Sequence, residues 1–235
     1  MNRSKRRLKF KLAALIIFSA IISVNLFPVI IFNWSGVAYD TNVTDPDTTA
    51  DTPTTMTPRL APMSTIIIEG AGYILKGHSD YLLFLNRIEI SELQGTDYSE
   101  LRSILEKTIA NLEQASGTYR ELYRRASSTP YNPVVIEKLK AFDYYGFQRE
   151  MGLTPSVFSE VRGYLSTGNV DGIYYRISTR VDSILKRIYI IKGMVENGRF
   201  PDMSNVWRAG QDFSENFLFG QYVAEVFNKI TGGCR

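Results

Sequence analysis

Four stretches of this chain repeat apolar or small residues at alternating spacings of three and four, the rhythm of one buried face on a helix. After Gly95 the stripe runs Tyr98, Leu101, Leu105, Thr108, Leu112, Ala115, Tyr119, Leu122, Ala126, a coiled-coil-like seam. Asp97 stands where an N-cap belongs, with Glu100 three residues on, and Pro130 stops the element. A second seam passes through Val170, Tyr174, Ile177, Val181, Ile184, Ile188, Ile191 and Val195, ending before Asn197-Gly198. At helical rise, positions 170–195 make a rod of roughly 39 Å. A third uses Val206, Gly210, Phe213, Phe217, Gly220, Ala224 and Phe227, where Phe knobs fill space and Gly210 and Gly220 admit a close neighbour. A fourth, through Ile74, His78, Tyr81, Leu85 and Ile88 with Leu75 and Leu82 on its flank, is expected to begin its helix only after Gly70 and Gly72.

Between the halves the sequence predicts two shorter helices. One spans Val134 to about Glu150, and the other Pro155 to about Ser166, with Thr154 as cap and Pro155 at the first position. Ile66-Ile67-Ile68 alone is β-like, too short for a sheet. Four amphipathic rods of similar length, paired by short turns, bury their stripes as an antiparallel four-helix bundle, so the expected fold is all-α, with the middle pair as cap or crossover.

Ahead of the bundle lies a different kind of pattern. Leu12 to Phe32 is an almost unbroken apolar run, preceded only by positive charges (Arg3, Lys5, Arg6, Arg7, Lys9, Lys11). That order marks an export signal or a membrane anchor, with the remainder carried across the membrane. Spanning length favours the anchor; Asn25, Pro28 and the small residues Gly36-Val37-Ala38 keep cleavage after Ala38 open. Lys9 sits where a twin-arginine signal wants an aromatic, which counts against that route. Residues 1–38 are thus signal or anchor. Residues 39–64, rich in Thr, Asp and Pro, read as a flexible linker that cannot bury enough surface to order itself. The sequon Asn42-Val43-Thr44 makes a glycosylated stalk the alternative for that stretch. Residues 65–232 form the helical domain.

Charge follows this division. The whole chain has 27 Lys+Arg against 24 Asp+Glu, but six bases and no acids precede residue 39, so the rest is mildly acidic. The basic pI of 8.9 belongs to the targeting segment, and composition offers no basic face for nucleic acid.

One His and one Cys in the whole chain leave most catalytic and metal constellations without parts, so no cofactor or metal is expected. A di-iron bundle wants Glu three residues before His, and Leu75 stands there relative to His78. Gly70-Ala71-Gly72 opens like a dinucleotide fingerprint, but Leu75 replaces the third glycine. His78 reads as a core imidazole, with a pH-responsive or ligand-contacting role as the sharper alternative. The pairs Glu89/Glu92 and Asp212/Glu215 read as solvated surface rather than acid/base machinery. Tyrosine and arginine supply the positive signal. Of fourteen tyrosines, Tyr144-Tyr145 and Tyr174-Tyr175 stand side by side, with Arg120, Arg124, Arg125, Arg176, Arg180 and Arg187 on nearby turns. This mixture suits a protein interface or an anionic organic ligand, and ordinary bundle packing is the plain alternative. The candidate ligand or interface residues are His78, Tyr81, Tyr144, Tyr145, Tyr174, Tyr175 and Arg180. Cys234, a lone thiol outside the cytoplasm, is the candidate for an intermolecular disulfide.

These features point to a non-enzymatic, extracytoplasmic helical-bundle protein, membrane-tethered through residues 12–32 or released. It would act as a protein-binding or assembly subunit with a protein partner or a second copy of itself. The alternative is a small-ligand sensor acting through a partner, and a cofactor-free enzyme built on carboxylates or tyrosines comes third.

Overall fold

The computed structural model describes residues 63–94, 96–128, 132–151 and 155–231. The apolar run 12–32, the Ala38 cleavage site, residues 39–62, the Thr154 cap and Cys234 lie outside the described residues, as does the side chain of Glu92. Among the described residues the fold is an all-α helical bundle: α1 (Met63–Gln94), α2 (Tyr98–Ala126), α3 (Pro133–Ala141), α4 (Tyr144–Met151), α5 (Pro155–Leu165), α6 (Asp171–Glu196) and α7 (Met203–Thr231). None of these helices is long and apolar enough to cross a membrane.

The long helices are α1, α2, α6 and α7, and local chemistry sets their ends. The Asp97 carboxylate accepts from the amides of Ser99 (3.0 Å) and Glu100 (3.2 Å), satisfying donors that α2 cannot pair internally. At the end of α6, Gly198 takes φ +62, so that Arg199 N–H donates to Met194 O and Gly198 N–H to Val195 O, both at 3.0 Å. This double closure needs a left-handed residue, which glycine adopts without a Cβ clash.

Every member of the α6 seam is buried, and so is every member of the α2 seam except the half-buried Tyr98. Polar ties across the seams show that neighbours run antiparallel. Asp80 of α1 accepts from Asn111 of α2 at 2.9 Å, while Arg87 pairs with Glu100 at 2.8 Å. Between α2 and α6, Ser116 Oγ donates to Asp182 at 2.7 Å and Ser127 Oγ to Asp171 at 3.1 Å. Arg180 and Arg187 of α6 face Glu215 and Asp212 of α7, and His78 and Tyr81 of α1 meet Phe217 and Phe213 of α7. In each pair the numbers rise along one helix as they fall along the other.

Helix α1 departs from the expected start: it begins at Met63 and runs straight through Gly70 and Gly72. The β-like triplet is part of it, with Ile66 and Ile67 buried. Gly70 does not break the helix because it is used for contact. A Cβ there would lie 3.0 Å from Thr118 Cγ2 and from the Tyr119 ring, so its absence lets α1 approach α2 closely. Burial of Ile66, Ile67 and Ala71 along this turn offsets the roughly 1 kcal/mol that glycine costs a helix interior.

The middle segment also differs from expectation, with three short helices in place of two. The helix expected over 134–150 breaks at Phe142, whose backbone turns extended (φ −68, ψ 138). Asp143 then starts α4 by accepting from the Gly146 amide at 2.8 Å. The break sets the Phe142 ring edge-on to Tyr144 and Phe147, with centroids 5.0 and 5.6 Å away. Together α3 to α5 lie along the C-terminal half of α7: Lys138 donates to Ile230 O at 3.1 Å, Lys229 pairs with Glu150 at 2.8 Å, and the Tyr164 ring meets Phe219 edge-on. Hence α7 is buried on more than its predicted stripe, with Phe219, Tyr222 and Val226 inside as well as Phe213 and Phe217.

Candidate functional site

The bundle divides the candidate residues between two interior locations and its surface. The first location is the α1–α7 seam. His78 sits on the predicted stripe of α1, 2% exposed, with its ring 5.0 Å from Phe213 and 4.9 Å from Phe217. Burial among these rings pulls its pKa down from 6.5 to about 4, because a charged imidazolium is poorly solvated there. It is therefore neutral at pH 7. Tyr81, less than one turn further along, stacks at 5.2 Å on Phe213 and donates its hydroxyl to Val206 O at 2.6 Å. Burial, reinforced by the charge of Asp212, raises the phenol's pKa, so Tyr81 acts as a donor and not as a base.

The second location is where α5, α6 and α7 meet. Arg176 and Arg180 stand one turn apart on α6, and each donates to a different oxygen of the Glu160 carboxylate on α5. The Arg180 side chain is 10% exposed, lies 5.0 Å over the Phe219 ring, and reaches Glu215 of α7 at 3.5 Å. Burial pulls the pKa of both guanidiniums down, while Glu215 works to keep them charged. The buried Arg180 Nε has no hydrogen-bond partner among the described residues. Beside it the part-buried Asp212 is taken by Arg187, while Glu215, 53% exposed and on the surface as expected, also reaches Arg180.

Adjacent tyrosines separate, since consecutive helical residues point about 100° apart. Tyr144 is buried and donates to Leu139 O at 2.9 Å, while Tyr145 is 63% exposed with the Arg162 guanidinium 4.8 Å over its ring. Tyr174 is inside the bundle. Tyr175 is 52% exposed and meets Tyr123 of α2, 38% exposed, at a centroid distance of 5.3 Å. The structure thus joins His78 with Tyr81 and places Tyr174, Tyr175 and Arg180 along α6. It does not gather the seven candidates into one site.

Glu160, which pairs with both arginines, is not among the candidates that the sequence pattern singles out. Its signal was weak: one carboxylate on a short helix whose docking partner is not encoded nearby. Among the described residues no three His, Cys, Asp or Glu side chains converge on a metal position. Comparison with protein-family models, with curated proteins and with solved structures gives no match for this chain.

Proposed function

We propose that this protein is a non-enzymatic binding or assembly subunit. It works on the extracytoplasmic side of a membrane, held there by residues 12–32 or released after Ala38, and its helical bundle presents a tyrosine surface to a protein partner. The observation that carries this reading is the Tyr123–Tyr175 pair. Two rings from different long helices meet at 5.3 Å, and both remain more than one-third exposed. Tyrosines held on rigid helices lose little entropy on binding and offer a large apolar face with a polar tip. The interior residues that could suggest catalysis are in packing roles: His78 lies between phenylalanine rings, while Tyr81 and Tyr144 donate to backbone carbonyls.

The test is site-specific photo-crosslinking of the full chain in its own membrane, with the reactive residue at position 175 and a control at Lys186. A discrete crosslinked partner at 175, lost when Tyr123 is changed to Ala, is the expected result. A chain that stays monomeric and uncrosslinked at 175 sinks the reading. The alternative of a small-ligand sensor draws on one observation, the buried unpartnered Nε of Arg180. Thermal-shift screening separates the two, since a ligand that binds only the folded state raises its melting temperature.

A further inference from the structure

Two guanidiniums closing on one carboxylate make an arginine fork, and here all three groups belong to the chain itself. Arg176 Nε donates to one oxygen of Glu160 and Arg180 Nη2 to the other. The fork is graded in depth: the Arg176 side chain is 33% exposed and that of Arg180 only 10%. It is also richer in donors than in acceptors. Each guanidinium carries five N–H groups. Besides Glu160, their hydrogen-bond and ion-pair partners among the described residues are Thr179 Oγ1 at 3.3 Å and Glu215 at 3.5 Å, and the buried Arg180 Nε has no hydrogen-bond partner among them.

We propose that the Arg176–Arg180 fork is a carboxylate-recognition site, occupied in this conformation by Glu160 of the same chain, and that an acidic side chain of a protein partner exchanges with Glu160 there. The proposal rests on the protein-binding reading above and names the chemistry of the partner. Exchange does not require α5 to leave. Its Val157, Phe158, Val161 and Leu165 are buried in the core, whereas the Glu160 side chain is 24% exposed and can turn outward by a rotamer change. Arginine suits this role because its planar fork meets a carboxylate through two parallel bonds. The Phe219 face lies under the Arg180 guanidinium at 5.0 Å and holds it in place, whichever carboxylate it meets. In the resting chain Glu160 holds both guanidiniums, and Glu215 at 3.5 Å is the second carboxylate on the deeper one, Arg180.

The experiment titrates the full chain in nonionic detergent with a hexaglutamate peptide at matched ionic strength, following the Nε–Hε signals of Arg176 and Arg180 by NMR. Both signals shift in the wild-type chain. Glu160→Gln, which removes the charge of the internal competitor, binds the peptide roughly tenfold more tightly, and Arg176→Gln binds roughly tenfold more weakly. Should Glu160→Gln fail to fold, Glu160→Asp is the second variant: it keeps the charge but is one methylene shorter, so it reaches the two guanidiniums less well and the peptide again binds more tightly than to wild type. Unmoved arginine signals, or equal affinity with and without the Glu160 carboxylate, overturn the proposal. Succinate and inorganic phosphate form the control arms, and binding of either as tightly as the peptide overturns the protein-partner assignment in favour of a small-anion site. Failure of the underlying reading looks different: crosslinking at Tyr175 disappears while the peptide still moves the fork.

Discussion

Tyr81 of α1 donates its hydroxyl to the Val206 carbonyl of α7 across 2.6 Å, joining positions 125 residues apart through a buried bond. The bond closes the bundle between its first and last long helices. The rings of His78 and Tyr81 also meet those of Phe213 and Phe217 across this seam. Tyr81→Phe keeps the ring and removes the donor, so its cost isolates the bond. A loss of about 1–2 kcal/mol in urea unfolding is expected, against about 3–5 kcal/mol for Tyr81→Ala, which also opens a cavity.

His78 makes the fold sensitive to acid. Its folded pKa is lowered to about 4, below the unfolded value near 6.5, so the unfolded chain binds the extra proton first. Stability from this residue is complete above about pH 6.5 and is lost as pH falls toward 4. The loss reaches about 3 kcal/mol at most, from the linkage of roughly 1.4 kcal/mol per pKa unit. Urea midpoints measured at pH 7.5 and 4.5 check this, and His78→Leu should flatten that part of the difference. An unchanged slope in the variant assigns the acid sensitivity elsewhere.

Two glycines of α1 should respond to alanine with opposite signs. A Cβ at Gly72 meets nothing within 4 Å, so Gly72→Ala gains helix propensity and stabilises by about 0.5–1 kcal/mol. At Gly70 the same methyl lies 3.0 Å from Thr118 and Tyr119, and the Tyr119 ring is buried and cannot yield cheaply. Gly70→Ala should therefore destabilise by about 1–3 kcal/mol. Thermal melts of both variants decide it, and a stabilised Gly70→Ala means that α1 and α2 are not in close contact there.

Gly198 has no such alternative. Its φ of +62 closes α6, and Gly198→Ala forces a Cβ into the left-handed region at a cost of about 1–2 kcal/mol. Asn tolerates that conformation better, so Gly198→Asn should lie between wild type and alanine in the same unfolding experiment.

What the sequence determined by itself is the set of faces that go inside. Both the α2 and α6 seams are buried along their length, as are Ile74, His78, Tyr81, Leu85 and Ile88 of α1, because a 3.6-residue period is a local property written into each segment. The Asp97 cap and the Gly198 stop are likewise local, each acting within a few residues of itself. Tertiary structure alone decided the rest. That α1 runs on through Gly70 goes with its close approach to Thr118 and Tyr119 of a different helix, and α7 is buried beyond its stripe where α3 to α5 lie along it. The pairing of Glu160 with Arg176 and Arg180 depends on how a short helix lies across two long ones. Spacing along a chain reports which side of a helix is apolar; it does not report which distant side chain will stand opposite.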